Sequence, residues 1–161
     1  MKVKNAVLMC VSSLAILLAL SVTAIRAQNQ GQSSDPWVGT WNLDIAGSQF
    51  NPGPPPQSET IVIDKDGHFQ LSTIEANGQK AGYEVDLREN SDAPIPGIPS
   101  ASVRHRIIDA RTFEYTWKFG DATLVGISRL NDGDATFTFT VKGVNFKGKQ
   151  IDNVLLFDRQ K

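Results

Sequence analysis

Residues 112–141 read TFEYTWKFGDATLVGISRLNDGDATFTFTV. From Thr112 to Phe119, the bulky residues Phe113, Tyr115, Trp117 and Phe119 alternate with Thr112, Glu114, Thr116 and Lys118. A side-chain period of two belongs to an extended strand with one dry face and one wet face. Gly120-Asp121 turns the chain into a second run, Thr123–Leu130. Asp132-Gly133 turns it again into Ala135–Val141, where Phe137, Phe139 and Val141 oppose Thr136, Thr138 and Thr140. Gly and Asp tolerate the positive φ that tight hairpins need. Three strands joined by two short turns are a meander, and the rest of the chain extends it.

Towards the N-terminus, Ser102–Ile108 sets Val103, His105 and Ile107 against Arg104 and Arg106. Lys80–Leu87 sets Tyr83, Val85 and Leu87 against Glu84 and Asp86. Asn77-Gly78, a strong hairpin signal, joins it to His68–Glu75, where Phe69, Leu71 and Thr73 share a face. Lys65-Asp66-Gly67 leads back to Glu59–Asp64, with Ile61 and Ile63 aligned, and Trp37–Ile45 opens the series. Towards the C-terminus the last run is Ile151–Arg159. Helical periodicity is absent after residue 27. The chain is therefore expected to be all-β, an antiparallel up-and-down meander of about eight or nine strands. Closing such a meander into a barrel removes its exposed edges; a two-sheet sandwich is the alternative. Two proline-rich segments, Pro52–Pro56 and Pro94–Pro99, interrupt the runs. Proline lacks a donor, so both are expected outside the sheet, either as stiff loops at a barrel end or as ligands for a partner.

The first 27 residues have a different character. Lys2 and Lys4 precede an apolar run, Ala6–Leu20, broken only by Ser12 and Ser13, and small residues follow. This is the layout of a secretory signal peptide, with cleavage expected after Ala24 or Ala27. The sole cysteine, Cys10, lies inside the apolar run and not at a lipid-attachment position. The expected organisation is a signal peptide at 1–27, a flexible polar leader at 28–34 and one domain at 35–161. The mature chain is expected outside the cytoplasm, periplasmic or secreted, and must fold without disulfides. Cleavage after Ala27 removes Lys2, Lys4 and Arg26, so 16 basic against 17 acidic residues becomes 13 against 17, a net charge near −4. A weakly acidic domain argues against nucleic acid as partner, and no membrane insertion of the mature chain is expected.

Gly39-Thr40-Trp41 opens the first strand, and Arg159 stands near the end of the last. G-x-W with a terminal arginine resembles the signature shared by lipocalins, fatty-acid-binding proteins and avidins. That resemblance implies a calycin-type barrel in which Arg159 packs over Trp41, with Gly39, Trp41 and Arg159 as structural residues. More narrowly, residues 35–56, from Asp35-Pro36 through Leu43-Asp44, Ser48, Phe50 and Pro52–Pro56, resemble exported bacterial lipocalin-like proteins of undetermined function. The departures limit what transfers. There is no second lipocalin motif and no C-terminal helix. The proline-rich stretch leaves no room for the helix pair that lids fatty-acid-binding proteins. Only Trp117 stands where avidins use several tryptophans. Neither biotin nor fatty-acid binding is carried over.

Candidate chemistry is sparse. His105 shares parity with Val103 and Ile107 and is expected to face the apolar side, where burial makes its pKa sensitive. His68 follows a turn and is expected in solvent. Two histidines and no mature cysteine fall short of the His and Cys ligands that a transition-metal site usually takes, and none is assigned. Asp64-Lys65-Asp66-Gly67 carries Val62 where a calcium loop needs an oxygen ligand two residues earlier, and reads as a hairpin turn. No nucleophile elbow or phosphate loop is present, so no catalytic residue and no cofactor is assigned. His105, Phe113, Tyr115 and Trp117 are the expected lining of an apolar pocket, unless the same rings fill the barrel. Ser128 lies on a small, partly polar stripe with Leu124, Gly126 and Leu130, leaving room for a ligand or a large neighbour. The expectation is a monomeric barrel binding a small, mostly apolar molecule. An envelope protein docking through the proline-rich loops is the alternative, and a cavity enzyme using His105 the third reading.

Overall fold

The computed structural model describes residues 35–161. The expected signal peptide, with Cys10 and the two cleavage points, and the expected leader at 28–34 lie outside the described residues. Ten strands are present: β1 (Gly39–Gln49), β2 (Ser58–Ile63), β3 (His68–Ile74), β4 (Lys80–Asp86) and β5 (Asp92–Pro94), then β6 (Ala101–Asp109), β7 (Thr112–Phe119), β8 (Ala122–Leu130), β9 (Thr136–Val144) and β10 (Gln150–Arg159). They form one antiparallel sheet in the order β4-β3-β2-β1-β10-β9-β8-β7-β6-β5. Each strand pairs with its chain neighbour except at two places. β1 pairs with β10, with Trp41 opposite Arg159 and Leu43 opposite Phe157, and this closes the meander into a nearly complete barrel. β4 and β5 end the ladder on either side of an unpaired seam. No helix occurs among the described residues.

Two elements differ from the sequence expectation. β5 is a tenth strand in the stretch between the Lys80–Leu87 and Ser102–Ile108 runs, where the sequence pattern gives none; Asp92, Ala93 and Pro94 pair with Arg104, Val103 and Ser102. Pro94 is thus in the sheet after all, and it is tolerated there because β5 is an edge. Arg104 fixes the short strand by donating from Nε and Nη2 to both Asp92 oxygens at 2.8 Å. β1 also runs past Ile45. Its register with β10 shifts between Asp44 and Gln49, a bulge held by Gly47 N donating to Asp44 Oδ1 (3.0 Å) and Ser48 Oγ donating to Asp44 O (2.6 Å). The extra residues break the alternation, which is why periodicity alone ends the strand early.

The inward faces make one continuous core in which Trp37, Trp41, Phe137 and Phe157 are fully buried. Phe137 stacks on Phe157 (centroids 4.8 Å apart) and takes Trp41 edge-on at 5.0 Å. Trp37, from the segment before β1, stacks on Phe113 at 4.6 Å and plugs the end where β1 starts. Both indoles find backbone acceptors: Trp41 Nε1 donates to Trp37 O (3.0 Å) and Trp37 Nε1 to Ala110 O (3.3 Å). Arg159 closes this end from outside. Its guanidinium carbon lies 4.1 Å from the Trp41 ring centroid. Its Nη1 donates to Val38 O (2.7 Å), its Nε to Asp134 O (3.0 Å), and its Nη2 to Pro36 O in a short contact. Gly39 makes room for this clamp. Its φ is +148° and a Cβ there would stand 2.8 Å from Arg159 Nη1.

Replacing Arg159 by alanine removes three charge-assisted hydrogen bonds and the stacked cation. The expected loss is about 2–4 kcal/mol of unfolding free energy, with Arg159→Lys recovering only part because an ammonium lacks the planar fork. Urea denaturation of the mature chain measures it; a loss below about 0.5 kcal/mol, the scale of an ordinary surface change, shows that the clamp carries no load.

Candidate functional site

The other end of the barrel is open. The turns between β1 and β2, β3 and β4, β5 and β6, β7 and β8, and β9 and β10 gather there, so both proline-rich segments rim one mouth. Inside lies a chamber of about 540 Å³, reached between Pro56, Pro96 and Phe146 and walled by Leu124, Phe139 and Trp117 among others. That volume falls within the usual range of small-molecule sites, roughly 300–1,000 Å³. Below it, toward the Trp37 plug, is a smaller space of about 50 Å³. Glu59, Leu71, Tyr83, Trp117 and Phe139 line both and mark where they meet.

Polar groups converge at that junction. Glu59 enters on the inward face of β2, in phase with Ile61 and Ile63. Its Oε2 accepts from Thr73 Oγ1 at 3.1 Å on β3. Burial among apolar walls disfavours its charged form and pushes its pKa up to about 7, with Thr73 opposing and the Glu75 charge adding to the rise. Tyr83 accepts a hydrogen bond from Trp117 Nε1 at 2.9 Å through its hydroxyl. Burial raises the phenol pKa of Tyr83 and of Tyr115, so both remain neutral donors at any physiological pH. Tyr115 and Ser128 face the smaller space. At the mouth Glu75 is engaged by Lys147 Nζ at 3.4 Å.

The four expected lining residues separate. Tyr115 and Trp117 line the cavity, stacked on each other with centroids 5.5 Å apart. His105 and Phe113 do not. Phe113 is consumed by its stack on Trp37, and His105 packs edge-on against Phe113 at 4.7 Å. The sequence pattern starts the first run at Trp37, but β1 begins only at Gly39 and Trp37 turns inward ahead of it as the plug, a placement that periodicity does not show. His105 Nδ1 is buried without a hydrogen-bond partner among the described residues. Burial lowers the His105 pKa, with the Glu89 charge opposing. Ile107, in phase with it and still paired with Phe113, is 44% exposed near the end of β6, just before the bulge between Ile107 and Asp109.

The remaining features of the sequence take structural places. His68 is half-exposed and its Nδ1 lies 2.9 Å from Asp86 Oδ1, which raises its pKa. Asp64 caps its own turn, accepting from the Asp66 and His68 amides at 2.8 and 3.0 Å. The room left by Gly126 is taken by large neighbours: a Cβ there would meet Phe139 Cε2 at 2.3 Å and Trp117 Cζ3 at 3.0 Å. Glu59 has no role in the sequence reading, although its parity with Ile61 and Ile63 is the signal that marks it. Tyr83 is aligned with Val85 in the same way.

No protein-family model matches this chain, and no curated protein matches it. Solved structures do. A single-site mutant of the fluorescent protein UnaG matches with a TM-score of 0.52 at 14% identity, covering 79% of this chain and 98% of that one. A Schistosoma mansoni fatty acid binding protein in complex with arachidonic acid matches at 0.53 and 12%, covering 80% and 99%. A secretary abundant heat soluble (SAHS) protein from Ramazzottius varieornatus matches at 0.51 and 10%, covering 78% and 96%. At these identities the likeness is one of fold. The chain has a calycin-like barrel of the kind seen in fatty-acid-binding proteins.

The Glu59 carboxyl gives this site a pH signature. Its folded pKa of about 7 lies above the ordinary 4.5, so between those values the folded state holds a proton that the unfolded state releases. Stability from this group therefore falls as pH rises from 4.5 to 7. Glu59→Gln, which cannot ionise, is expected to match the parent near pH 5 and to exceed it at pH 8 by on the order of 2–3 kcal/mol. Urea denaturation at the two pH values reads the difference; equal offsets at both would show that Glu59 titrates normally.

Proposed function

We propose that this chain is an exported barrel that binds one small, mostly apolar molecule in the cavity behind its proline-rimmed mouth. The observation that carries the reading is the chamber of about 540 Å³, apolar in its walls, with Glu59, Tyr83 and Trp117 converging at its floor. Such a combination of apolar wall and few placed polar groups is the usual form of a small-molecule site. The shared fold adds an analogy: one structural neighbour is a fatty acid binding protein solved with arachidonic acid, and fold alone does not fix a ligand. The export half of the proposal rests on the Lys2–Ala27 pattern and on the resemblance of residues 35–56 to exported bacterial lipocalin-like proteins. An oligomer is not needed, because the cavity is complete within one chain. Docking through the proline-rich loops is the weaker reading. Pro56 and Pro96 line the mouth, where a stiff rim serves the cavity.

The test is binding by the mature protein purified gently from its own source. Native mass spectrometry is expected to show an extra mass of a few hundred daltons that is lost on denaturation. The emptied protein is expected to bind the neutral dye Nile red saturably, one per chain, with blue-shifted emission. A native mass equal to the bare chain together with no saturable dye binding would reject the binding module. The N-terminal sequence of the same material, beginning near Ile25 or Gln28, checks export; an intact Met1 or Lys2 start rejects it.

A further inference from the structure

We infer that the cavity selects an apolar molecule bearing a protonated amine, seated with its ammonium on Glu59, and rejects the corresponding carboxylate. This rests on the binding reading above and names the ligand class. Three observations carry it. First, the ionisable groups that line the two chambers are Glu59, Glu75, Tyr83 and Tyr115; no Lys, Arg or His is among the lining residues. Two cations of the β9–β10 turn stand at the rim and both are engaged: Lys147 with Glu75 and over the Phe146 ring, 5.2 Å from its centroid, and Lys149, whose Nζ donates to Gly53 O at 3.4 Å. Second, Glu59 stands where the chambers meet, and its one side-chain hydrogen bond among the described residues comes from Thr73. A carboxylate can accept about four hydrogen bonds, so the acceptor capacity left over faces the cavity. Third, the rings of Tyr83 and Trp117 line that same junction. Aromatic faces favour a cation and disfavour an anion.

The energetics follow from like and unlike charges in a poorly solvated place. A ligand carboxylate beside Glu59 puts two anions together, and one must then take up a proton. An ammonium in the same place supplies both the donors and the countercharge, and relieves the burial penalty that Glu59 carries alone. The hydrocarbon part of such a molecule then extends through the larger chamber past Leu124 toward the mouth.

The experiment is displacement of Nile red from the mature barrel at pH 8 by dodecylamine, dodecan-1-ol and dodecanoate, each below its micellar concentration. Dodecylamine is expected to bind at least about tenfold more tightly than dodecanoate, with dodecan-1-ol between them; tenfold corresponds to about 1.4 kcal/mol. Glu59→Gln is expected to erase that order, weakening the amine about tenfold or more while leaving the alcohol within about twofold. Circular dichroism and retained dye binding confirm that the variant is folded. Dodecanoate equal to or tighter than dodecylamine would overturn the inference and leave the binding module standing. So would an amine preference that survives Glu59→Gln, since it would then come from the acidic surface. Dye that binds but yields to none of the three also overturns it. A barrel that binds neither dye nor amphiphile would bring down the binding reading itself.

Discussion

A meander of strands curls until its first strand can reach its last, and everything else in this molecule depends on that contact. All the other pairings are between chain neighbours joined by short turns. Only β1 on β10 joins residues more than a hundred positions apart, and ordering so long a loop carries an entropic cost that local hairpins do not. Arg159 is the group that offsets it. It donates to the carbonyls of Pro36, Val38 and Asp134 and lies over Trp41, so one side chain ties the incoming segment, the first strand, the last strand and the turn before β9. A guanidinium suits the task because it is planar, permanently charged and weakly hydrated. Gly39 is the complement: any side chain there would occupy the space of Nη1.

Closing one end this firmly determines what the other end can be. Trp37 and Phe113 fill the barrel beneath the clamp, and the space not filled by side chains lies toward the far turns. An apolar opening is awkward for ordinary loops, since each buried backbone N–H needs an acceptor. Proline has no such group. Pro56 and Pro96 can therefore stand at an apolar mouth without leaving donors unsatisfied. Pro96 follows directly on β5 and stands near Ala81, Gly82 and Tyr83 of β4, so the unpaired seam between β4 and β5 adjoins the mouth.

The face of each strand was legible in the sequence; its depth and its irregularities were not. Alternation places Phe113, Tyr115, Trp117 and His105 inward, and all four rings do meet the core. It does not say how far along the barrel axis each ring falls. Two therefore join the plug and two line the cavity. β5 escapes because it is three residues long, contains a proline and is held by Arg104 of its partner strand, not by a hydrophobic pattern of its own. The bulge in β1 escapes because Asp44 and Ser48 make it through side-chain to backbone bonds. Glu59 is the instructive case. Its parity with Ile61 and Ile63 was visible, but a charge on a dry face reads as a strand end until a cavity is known to lie in front of it.

That carboxylate also limits what the fold can be made to say. The structural neighbours share the arrangement of strands at 10 to 14% identity, which leaves the interior free to differ almost completely. What a cavity binds is decided by the few polar groups in an otherwise apolar wall, because apolar surface accepts any hydrocarbon of suitable size. One of those neighbours is a fatty acid binding protein holding arachidonic acid, whose head group is a carboxylate. The same ligand here would meet Glu59, whose own charge already sits poorly in this place. Two anions in one poorly solvated cavity repel more strongly than they would in water, whereas an ammonium would make the pair favourable without altering a single strand. The architecture thus sets the size and dryness of the cavity, and on the proposal made above the charge of the half-buried Glu59 would set which molecules can use it.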